Sequence, residues 1–296
     1  MSEAMRDDTV LDANIAVDAS GAQGIMAPTE SVAPTRAYHR LAQGFVRIVP
    51  PAVVFVLILA FWQFGVKALH IPIYALPTPT DIWHTLPTIS ELPADARYTT
   101  FNEALPGFII GSGLGFLVAV IAMRFRFVAR GVMPYAVISN SIPIIGMAPI
   151  AVALFGFDWQ SKAFIVAVLT FFPMVINAYR GLTSLDLLSL QLMRSYAANG
   201  WETFYKLRLP SSLPYVFNAL KINATLAMIG AIIGEYFGSP SVGLGNYIHN
   251  ETGMLAMPEV WSAVVVACVI GISAYLLLVA LERWLTSWHI SYRSGR

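Results

Sequence analysis

Six apolar segments of this chain are each about as long as a helix that crosses a lipid bilayer. Such a helix needs roughly 17 to 25 predominantly apolar residues, because the hydrocarbon core is about 30 Å thick and each helical residue advances about 1.5 Å. The pattern therefore predicts an all-α membrane protein with six transmembrane helices. The predicted spans are residues 48–69, 101–123, 132–155, 163–179, 215–237 and 260–281.

The composition agrees with a membrane protein and argues against several kinds of site. Of the 296 residues, 57% are hydrophobic and 12% are charged, whereas roughly a quarter of residues are charged in soluble domains. The net charge of +1 gives no sign of a nucleic-acid partner. The single cysteine, Cys268, can form no disulfide within the chain, and the five histidines form no HExxH pair or triad-like cluster. We therefore predict no catalytic residues, no metal site and no cofactor bound by this chain.

The basic residues are distributed unequally between the two sides of the predicted bundle. Of the 18 basic residues, only Lys67, Arg97 and Lys162 fall on one side. Cytoplasmic loops carry the excess of Lys and Arg in membrane proteins, so we expect both termini in the cytoplasm. Residues 1–40 are polar and lack apolar periodicity, which predicts a disordered cytoplasmic tail ahead of a transmembrane domain at 41–296.

Two features of the spans indicate how the helices pack. Gly107, Gly111 and Gly115 repeat every four residues in the second span, which is typical of a small-residue packing face between helices. Pro143 and Pro149 interrupt the third span. Because a broken helix is tolerated in lipid where it faces protein or a water-filled path, the third span is expected to face one of these.

A few polar residues lie within or beside the apolar spans. Polar groups in such places face either protein or water, so they indicate bonds between helices or the path of a solute. For Glu235, near the outer end of the fifth span, the alternative to a place on the path is an anchor at the membrane interface. The residues that we predict to line or gate the path are Asn140, Ser141, Asn177, Asn218, Asn223 and Glu235.

The stretch from Gln191 to Pro214 is the longest polar interruption in the second half of the chain. Residues 195–207 have helix-forming composition, and their aromatic side chains fall on one face. Pro210 and Pro214 are expected to stop and restart the chain after this helix. The aromatic residues are Trp201, Phe204 and Tyr205. A short surface helix with an aromatic face, in a loop with basic residues, predicts a cytoplasmic docking element for a soluble partner.

The same loop resembles the cytoplasmic EAA loop of ABC importer permeases. The EAA pattern reads Glu-Ala-Ala, three residues, Gly, nine residues, Ile, one residue and Leu-Pro. With the pattern anchored on Leu209-Pro210, the Ile position is Leu207, the Gly position is Ala197, and Gln191 opens the Glu-Ala-Ala triplet. The resemblance implies the six-helix fold of a type I ABC importer permease.

Other residues of the loop resemble one branch of these permeases, which serves nitrate, sulfonates and taurine. They are Arg194-Ser195, Trp201, Phe204 and the run Leu209-Pro210-Ser211-Ser212-Leu213-Pro214. Outside the loop, three features resemble the family: the Leu-Pro-x-Pro run at 76–79, the proline and Ser-Lys pattern over 143–162, and the Gly-Leu-Gly at 243–245. Within this branch, the importers of pyrimidine and flavin precursors look most similar. The likeness runs from about residue 77 to residue 281.

The resemblance implies partners and a location. The chain would be a homodimeric permease in a bacterial plasma membrane, with two ABC ATPase subunits that hold ATP and Mg, and an external substrate-binding protein. The chain has no GxxxxGK[ST] nucleotide loop, so ATP hydrolysis is expected on a separate subunit. Residues 180–214 would form the loop that couples the permease to the ATPase. The coupling residues implied by the motif are Arg194, Ser195, Ala197, Ala198, Gly200, Trp201, Glu202, Phe204, Leu209 and Pro210.

Two other classes of protein stay open from the residues alone. A secondary transporter would use no ATPase, and it would favour an inverted repeat and ionisable residues at mid-membrane. An intramembrane enzyme would need a nucleophile–base pair or metal ligands within the spans, and none is evident. The substrate also stays open among pyrimidine or flavin precursors, sulfonates, nitrate, bicarbonate and aromatic acids.

Overall fold

The computed structural model describes residues 35–139, 143–238 and 242–286, and it describes side chains from residue 49 onward. Every regular element in these ranges is helical, and none of them contains a strand. The chain divides into two compact units, Met1–Val56 and Leu57–Arg296. Helix α1 (Thr35–Ala68) begins in the first unit, and the helices after it belong to the second. Most of the predicted tail, residues 1–40, lies outside the described residues, and its last part, residues 35–40, is helical.

The second unit contains the following helices in chain order. They are α2 (Pro79–Thr85), α3 (Leu92–Tyr98), α4 (Leu105–Arg124), α5 (Arg126–Ile138), α6 (Ile144–Phe155), α7 (Trp159–Thr183), α8 (Leu187–Ser195), α9 (Gly200–Thr203), α10 (Leu209–Gly238), α11 (Leu244–Gly253) and α12 (Met257–Leu285). A π-helical segment, Thr99–Ala104, joins α3 directly to α4, and a second one, Phe204–Arg208, joins α9 directly to α10.

Five stretches within the described residues are long and apolar enough to cross a membrane. They are Val49–Ala68, Leu92–Arg124, Trp159–Thr183, Gly200–Gly238 and Met257–Leu285. They contain most or all of five of the predicted spans, often with additional turns at one end. Each added turn continues a helix beyond the apolar core of the span, which hydropathy alone does not detect.

The third span predicted at 132–155 is divided between two helices, and the predicted interruption at Pro143 is confirmed. α5 ends at Ile138, and the shorter apolar helix α6 begins at Ile144. Pro143 has extended backbone dihedrals and directly precedes α6; a proline also disfavours helical dihedrals at the residue before it. Pro149 is exposed and lies inside α6 without ending it, so the interruption predicted at Pro149 is wrong.

Helix α7 is the centre of the bundle, because glycines of two other helices pack against it. A methyl group added at Gly107, Gly111 or Gly115 of α4 would overlap backbone and side-chain atoms of α7. Gly230 and Gly234 of α10 also lie close to side chains of α7. Small residues let helix backbones approach closely in a bilayer, where dispersion contacts replace the hydrophobic effect. The predicted packing face of the second span is therefore confirmed.

The helices around α7 define two ends of the bundle. At one end, Lys162 near the start of α7 lies beside Gly234 near the end of α10. At the other, the guanidinium of Arg208 donates a hydrogen bond to the backbone oxygen of Leu182, at 2.8 Å. α7 and α10 are therefore antiparallel. We call the first end the α11 end and the second the loop end; in the predicted topology they face outside and cytoplasm, respectively.

Helix α12 is fixed to α10 near the loop end by an ion pair between Lys221 Nζ and Glu282 Oε2, at 2.9 Å. Both side chains are largely buried. Near its start, Trp261 of α12 packs on Trp62 of α1, with ring centroids 5.0 Å apart. Because loss of one partner would leave a buried charge unpaired, the ion pair fixes the position of α12 more than it adds net stability.

Candidate functional site

The loop between α7 and α10 contains two helical segments joined by a tight turn. α8 ends at Ser195, and Ala197 then takes a positive φ of 53°. The predicted helix over residues 195–207 is therefore wrong at its start, since a residue in the left-handed region ends a helix. The backbone N–H of Ala197 donates a hydrogen bond to the carbonyl of Arg194, at 2.9 Å, which closes the turn after α8.

The second helical segment begins at Gly200 because Asn199 caps it. The Asn199 side chain accepts a hydrogen bond from the backbone N–H of Glu202, at 2.8 Å. The Glu202 carboxylate accepts in turn from the backbone N–H of Asn199, at 3.0 Å. This reciprocal capping box satisfies two amides that the first turn of a helix leaves free.

From Gly200 the chain stays helical to Gly238, so the prediction that Pro210 and Pro214 interrupt it is wrong. Pro210 directly follows the π-helical segment Phe204–Arg208. A proline cannot donate a backbone hydrogen bond and its ring crowds the preceding turn, which π-type spacing relieves. The surface segment and the fifth span are consequently one continuous helical element.

One face of this segment is aromatic and open to solvent. Trp201 is 70% exposed and Tyr205 is 60% exposed, and their ring centroids are 5.9 Å apart. Beside them, Lys206 and Glu202 form an exposed i, i+4 ion pair at 3.3 Å. We call Trp201 and Tyr205 the aromatic face. Exposed aromatic side chains with a polar rim are typical of a protein-binding surface.

Next to the aromatic face, the segment is anchored in the bundle by Phe204. Phe204 stacks on Trp201, with centroids 5.8 Å apart, and packs against a buried apolar cluster. The cluster consists of Ala119, Met174, Ala178, Leu182 and Ala219. It joins α4, α7 and α10, and Arg208 adds its hydrogen bond to α7. A force applied to the aromatic face would therefore reach three membrane helices through packed side chains.

The structure brings all the residues implied by the EAA-like motif into this loop. Those with exposed side chains or backbone are Arg194, Ser195, Ala197, Gly200 and Trp201. Those that are half-buried are Ala198, Glu202, Phe204, Leu209 and Pro210. Their role in coupling to an ATPase stays a prediction.

Asn223 joins three helices at the middle of the bundle. Its Nδ2 donates to the hydroxyl of Ser112 on α4, at 2.9 Å, and to the backbone oxygen of Thr170 on α7, at 2.7 Å. The side chain is fully buried, and its Oδ1 has no partner among the described residues. In this structure Asn223 therefore makes the interhelical bonds that were the alternative to a place on the path.

The other asparagines predicted for the path are not part of this group. Asn177 donates to the carbonyl of Pro173 within its own helix, at 2.8 Å, and is half-buried. Asn218 is exposed on α10. Asn140 and Ser141 lie outside the described residues. A place on a solute path stays a prediction for all of these residues.

Glu235 lies in a polar cluster at the α11 end, and only 1% of its surface is exposed. Its Oε1 is 2.8 Å from the hydroxyl of Thr99, and its Oε2 accepts the backbone N–H of Gly245 at 2.6 Å. The Thr99 hydroxyl oxygen accepts the backbone N–H of Leu244, at 2.9 Å. Asp95 Oδ1 accepts the backbone N–H of Gly243, at 3.1 Å. Both oxygens of Glu235 are thus engaged by its own chain.

Two charged residues beneath Glu235 were not predicted as site residues. Glu103 and Lys162 are each only 1% exposed. The Lys162 ammonium donates to the backbone carbonyls of Phe157 and Asp158 at the start of α7. Lys162 was counted among the outer charges, and Glu103 inside a predicted apolar span was the signal that could have revealed this cluster. Thr99 and Asp95 carry no such signal, because their partners lie about 145 residues away in sequence.

The exposed side of the α11 end carries several carboxylates. Burial raises the pKa of Tyr247 to about 12, and the nearby carboxylates, led by Glu251 and Glu259, add to this rise. Burial also raises the pKa of Glu251, with further contributions from Glu259 and Glu91. Several carboxylates therefore lie near Tyr247 at this end of the bundle.

Residues that could hold a metal ion do not cluster in the part of the chain that the structure describes. No group of three or more His, Cys, Asp or Glu side chains has the required arrangement there. The polar cluster holds three carboxylates and an ammonium, and the oxygens of Asp95 and Glu235 are directed at backbone amides and a hydroxyl. Such an arrangement suits the fixing of chain segments rather than the binding of a cation.

Comparisons with known proteins give a consistent picture. The family model for the binding-protein-dependent transport system inner membrane component matches residues 111–288. The formylaminopyrimidine transport permease protein ThiX of Halalkalibacterium halodurans is 31% identical, covering 80% of this chain and 95% of the relative. The riboflavin transport system permease protein RibX of Chloroflexus aurantiacus is 28% identical, covering 81% and 90%. The putative aliphatic sulfonates transport permease protein SsuC of Bacillus subtilis is 26% identical, covering 92% and 98%.

The fold also resembles a solved transporter. A chain of the MetNI methionine ABC transporter, in inward-facing conformations, superposes with a TM-score of 0.50 and 21% identity. The match covers 65% of this chain and 93% of the solved chain. At this level of identity the likeness establishes the helical permease fold alone.

These findings confirm that the protein is an integral membrane permease of an ABC importer, related to the sulfonate, pyrimidine and riboflavin permeases. They exclude the secondary transporter and the intramembrane enzyme, since such permeases are not catalytic and ATP is hydrolysed on a separate subunit. The family also implies an ATPase and a substrate-binding protein as partners. The chain belongs to the family of binding-protein-dependent transport system inner membrane components.

Proposed function

We propose that this permease works as a homodimer with two ABC ATPase subunits, and that residues 199–208 are the element that docks into each ATPase. The observation that carries the proposal is the exposed aromatic face, whose neighbour Phe204 is packed into the bundle. The capping box fixes where this helix begins. A partner would therefore meet a preformed surface, which lowers the entropy cost of binding.

The docking segment is continuous with α10, so movement of the segment would be transmitted to the membrane helices. Residues 200–238 form one helical element, and Phe204 packs against residues of α4, α7 and α10. When ATP closes the ATPase dimer, a displaced docking segment would move these helices as a rigid body. Such motions switch a transporter between inward- and outward-facing states, because ATP binds the two states with different affinity.

The proposed topology places the docking segment in the cytoplasm and α11 outside, with both termini inside. The distribution of basic residues supports this orientation. A substrate-binding protein would deliver the solute at the α11 end. The names of ThiX and RibX support a small heterocycle of the pyrimidine or flavin-precursor type as the solute. Thermal shift of the purified binding protein with formylaminopyrimidine, riboflavin and an aliphatic sulfonate tests this class, and stabilisation by the sulfonate alone would reject it.

Replacement of Trp201 by alanine tests the docking proposal. An aromatic side chain seated in a partner pocket typically contributes about 2 kcal/mol or more, so Trp201→Ala should weaken ATPase binding roughly 30-fold. The permease itself should insert and fold normally, because Trp201 lies outside the buried clusters. Co-purification of the ATPase and its stimulated ATP hydrolysis would be measured together in reconstituted membranes.

The matched control is Trp83→Ala. Trp83 is 74% exposed on α2, which is not part of the loop, so its loss removes the same side chain from another surface. ATPase association should stay within about twofold of the parent value for this control. Equal behaviour of the two variants would reject docking through the aromatic face.

A further inference from the structure

We propose that Asp95, Thr99 and Glu235 are positioning residues that clamp the start of α11 to the bundle. We call these three residues the α11 clamp. In the transport cycle, the clamp makes α11 move with α4, α7 and α10 as one body. A signal from the binding protein at the α11 end then reaches the helices that carry the docking segment. The functional part of the inference rests on the proposed orientation and on delivery by a binding protein.

The contacts of the clamp involve three successive backbone amides. Gly243 N–H is bound by Asp95, Leu244 N–H by the Thr99 hydroxyl, and Gly245 N–H by the Glu235 carboxylate. The first amides of a helix have no partner within the helix and are ordinarily satisfied by a local capping side chain. α11 has no local side-chain cap, since Gly243 stands at that position. The start of α11 is therefore capped by other helices of the bundle.

The fit between this segment and Glu235 is close on both sides. Gly243 has a φ of 139°, and a methyl group there would overlap the Glu235 carboxylate. A methyl group at Gly245 would overlap the backbone carbonyl of Ile232. The two glycines allow the backbone to approach α10 closely enough for its amides to reach Glu235. The Gly-Leu-Gly sequence thus supplies the backbone amides that the clamp residues bind.

The π-helical segment Thr99–Ala104 orients the clamp. Thr99 opens this segment and Glu103 lies within it, and both side chains are fully buried. The Thr99 hydroxyl lies 3.0 Å from the backbone oxygen of Asp95 and 2.8 Å from Glu235 Oε1, so its one hydrogen serves these two acceptors. π-helical turns are energetically poorer than α-helical turns and occur frequently at functional sites. Here the turn directs a hydroxyl of one span at both α10 and α11.

The clamp assigns Glu235 a role that differs from lining a path. Both of its oxygens accept hydrogen bonds from the chain itself, and the side chain is excluded from solvent. Its function in this arrangement is to accept and position, together with Thr99. A path residue would act through its own charge, so loss of the Thr99 hydroxyl would then have little effect.

The test compares Thr99→Val with Thr99→Ser and Thr100→Val in the complete complex of permease, ATPase and binding protein, reconstituted in proteoliposomes. Thr99→Val keeps the shape and removes the hydroxyl, and Thr99→Ser restores the hydroxyl. Thr100→Val is the matched control, because the Thr100 hydroxyl donates to the carbonyl of Ala96 in its own helical stretch, at 2.7 Å, and to no other group among the described residues. The probe is the binding protein isolated with its own bound ligand.

Two quantities are measured for each variant. One is the concentration of loaded binding protein that gives half-maximal stimulation of ATP hydrolysis. The other is hydrogen exchange of peptides covering residues 243–253. For Thr99→Val we expect both the half-maximal concentration and the local exchange rate to rise about tenfold, with basal hydrolysis unchanged. Thr99→Ser and Thr100→Val should stay within about twofold of the parent for both quantities.

Several outcomes would overturn the inference. Unchanged exchange in Thr99→Val would mean that the clamp does not hold α11, and faster exchange with normal stimulation would mean that it has no part in transport. If Glu235→Gln loses the stimulation of ATP hydrolysis while Thr99→Val keeps it, Glu235 acts on the solute path and not as part of the clamp. If Thr99→Val fails to assemble, a comparison of Asp95→Ala with Asp95→Asn replaces it. Asn keeps the Oδ1 acceptor for the backbone N–H of Gly243, whereas Ala removes it. Equal exchange rates and equal half-maximal concentrations for these two variants would also overturn the inference.

Failure of the docking proposal is distinguishable from failure of the clamp. If residues 199–208 do not dock the ATPase, Trp201→Ala retains the subunit and its activity, while the exchange comparison at α11 stays interpretable. If the clamp is absent, the docking variants behave as expected, and Thr99→Val matches the parent as its two controls do.

Discussion

Ala197 has a backbone φ of 53°, in the left-handed region that costs a residue with a Cβ atom about 1 kcal/mol or more. It stands where the EAA pattern of related permeases has glycine. The structure thus gives the physical reason for that glycine: the turn after α8 needs a positive φ before Asn199 can start the next helical segment. In this chain alanine occupies the strained position.

Ala197→Gly should consequently stabilise the loop. We expect the permease to gain up to about 1 kcal/mol, because glycine adopts this backbone without the Cβ penalty. Ala198→Gly is the control, since its φ is not positive and glycine there adds only flexibility. Thermal unfolding in detergent would be compared for both variants. A lower unfolding temperature for Ala197→Gly than for Ala198→Gly would contradict this explanation.

Single residues also show where prediction from the sequence ends. Glu235 was recognised as a notable acid within a span, and the burial of such a group is readily anticipated. Its partners Thr99 and Gly245 could not be inferred, since polar contacts between helices depend on their relative rotation and depth. The same limit applies to Asn223. Its polarity was visible in the sequence, but the hydrogen bonds from its Nδ2 to Ser112 and Thr170 could be identified only once the helices were packed.

The helices themselves were largely predictable from apolar length. Small residues at a spacing of four were sufficient to predict that α4 has a close packing face. The prolines were less informative, because their effect depends on context. Pro143 precedes the start of α6, whereas Pro149 and Pro214 lie inside helices whose neighbours hold them straight enough to continue. The capping box at Asn199 was present in the sequence, and it would have corrected the start of the docking helix.

The glycine face of α4 gives an element-scale prediction. At Gly111 an added methyl group would overlap the backbone of Ala167 and the hydroxyl of Thr170, whereas Gly113 faces open space. Gly111→Ala should therefore destabilise the bundle by about 1–3 kcal/mol through overpacking. Gly113→Ala should be neutral or slightly stabilising, because alanine is the better helix former.

Unfolding of the two variants in detergent, followed by circular dichroism, measures this difference. Both variants carry the same substitution in the same helix, and they differ only in the face of α4 on which the new methyl group lies. Equal stability of Gly111→Ala and Gly113→Ala would show that α4 does not pack on α7 through this face.

The proposed roles of the docking segment and of α11 both depend on which side of the membrane each end of the molecule faces. We expect Asn250→Cys on α11 to react with an impermeant thiol reagent from outside intact cells, and Ser195→Cys at the end of α8 to react only after permeabilisation. Both positions are exposed, so access to the side of the membrane decides the labelling. The native Cys268 is replaced by alanine in both variants, because it is also exposed. The reverse pattern of labelling would reject the predicted orientation.

The central claim is that residues 199–208 contact the ATPase directly. The most direct test is a photo-reactive phenylalanine derivative placed at Trp201 in the reconstituted complex, with the same residue placed at Trp159 as a control. Trp159 is also exposed but lies at the start of α7, at the opposite end of the bundle. We predict that irradiation cross-links position 201 to the ATPase subunit and leaves position 159 free of it. A cross-link to the ATPase from position 159, or none from position 201, would contradict the account.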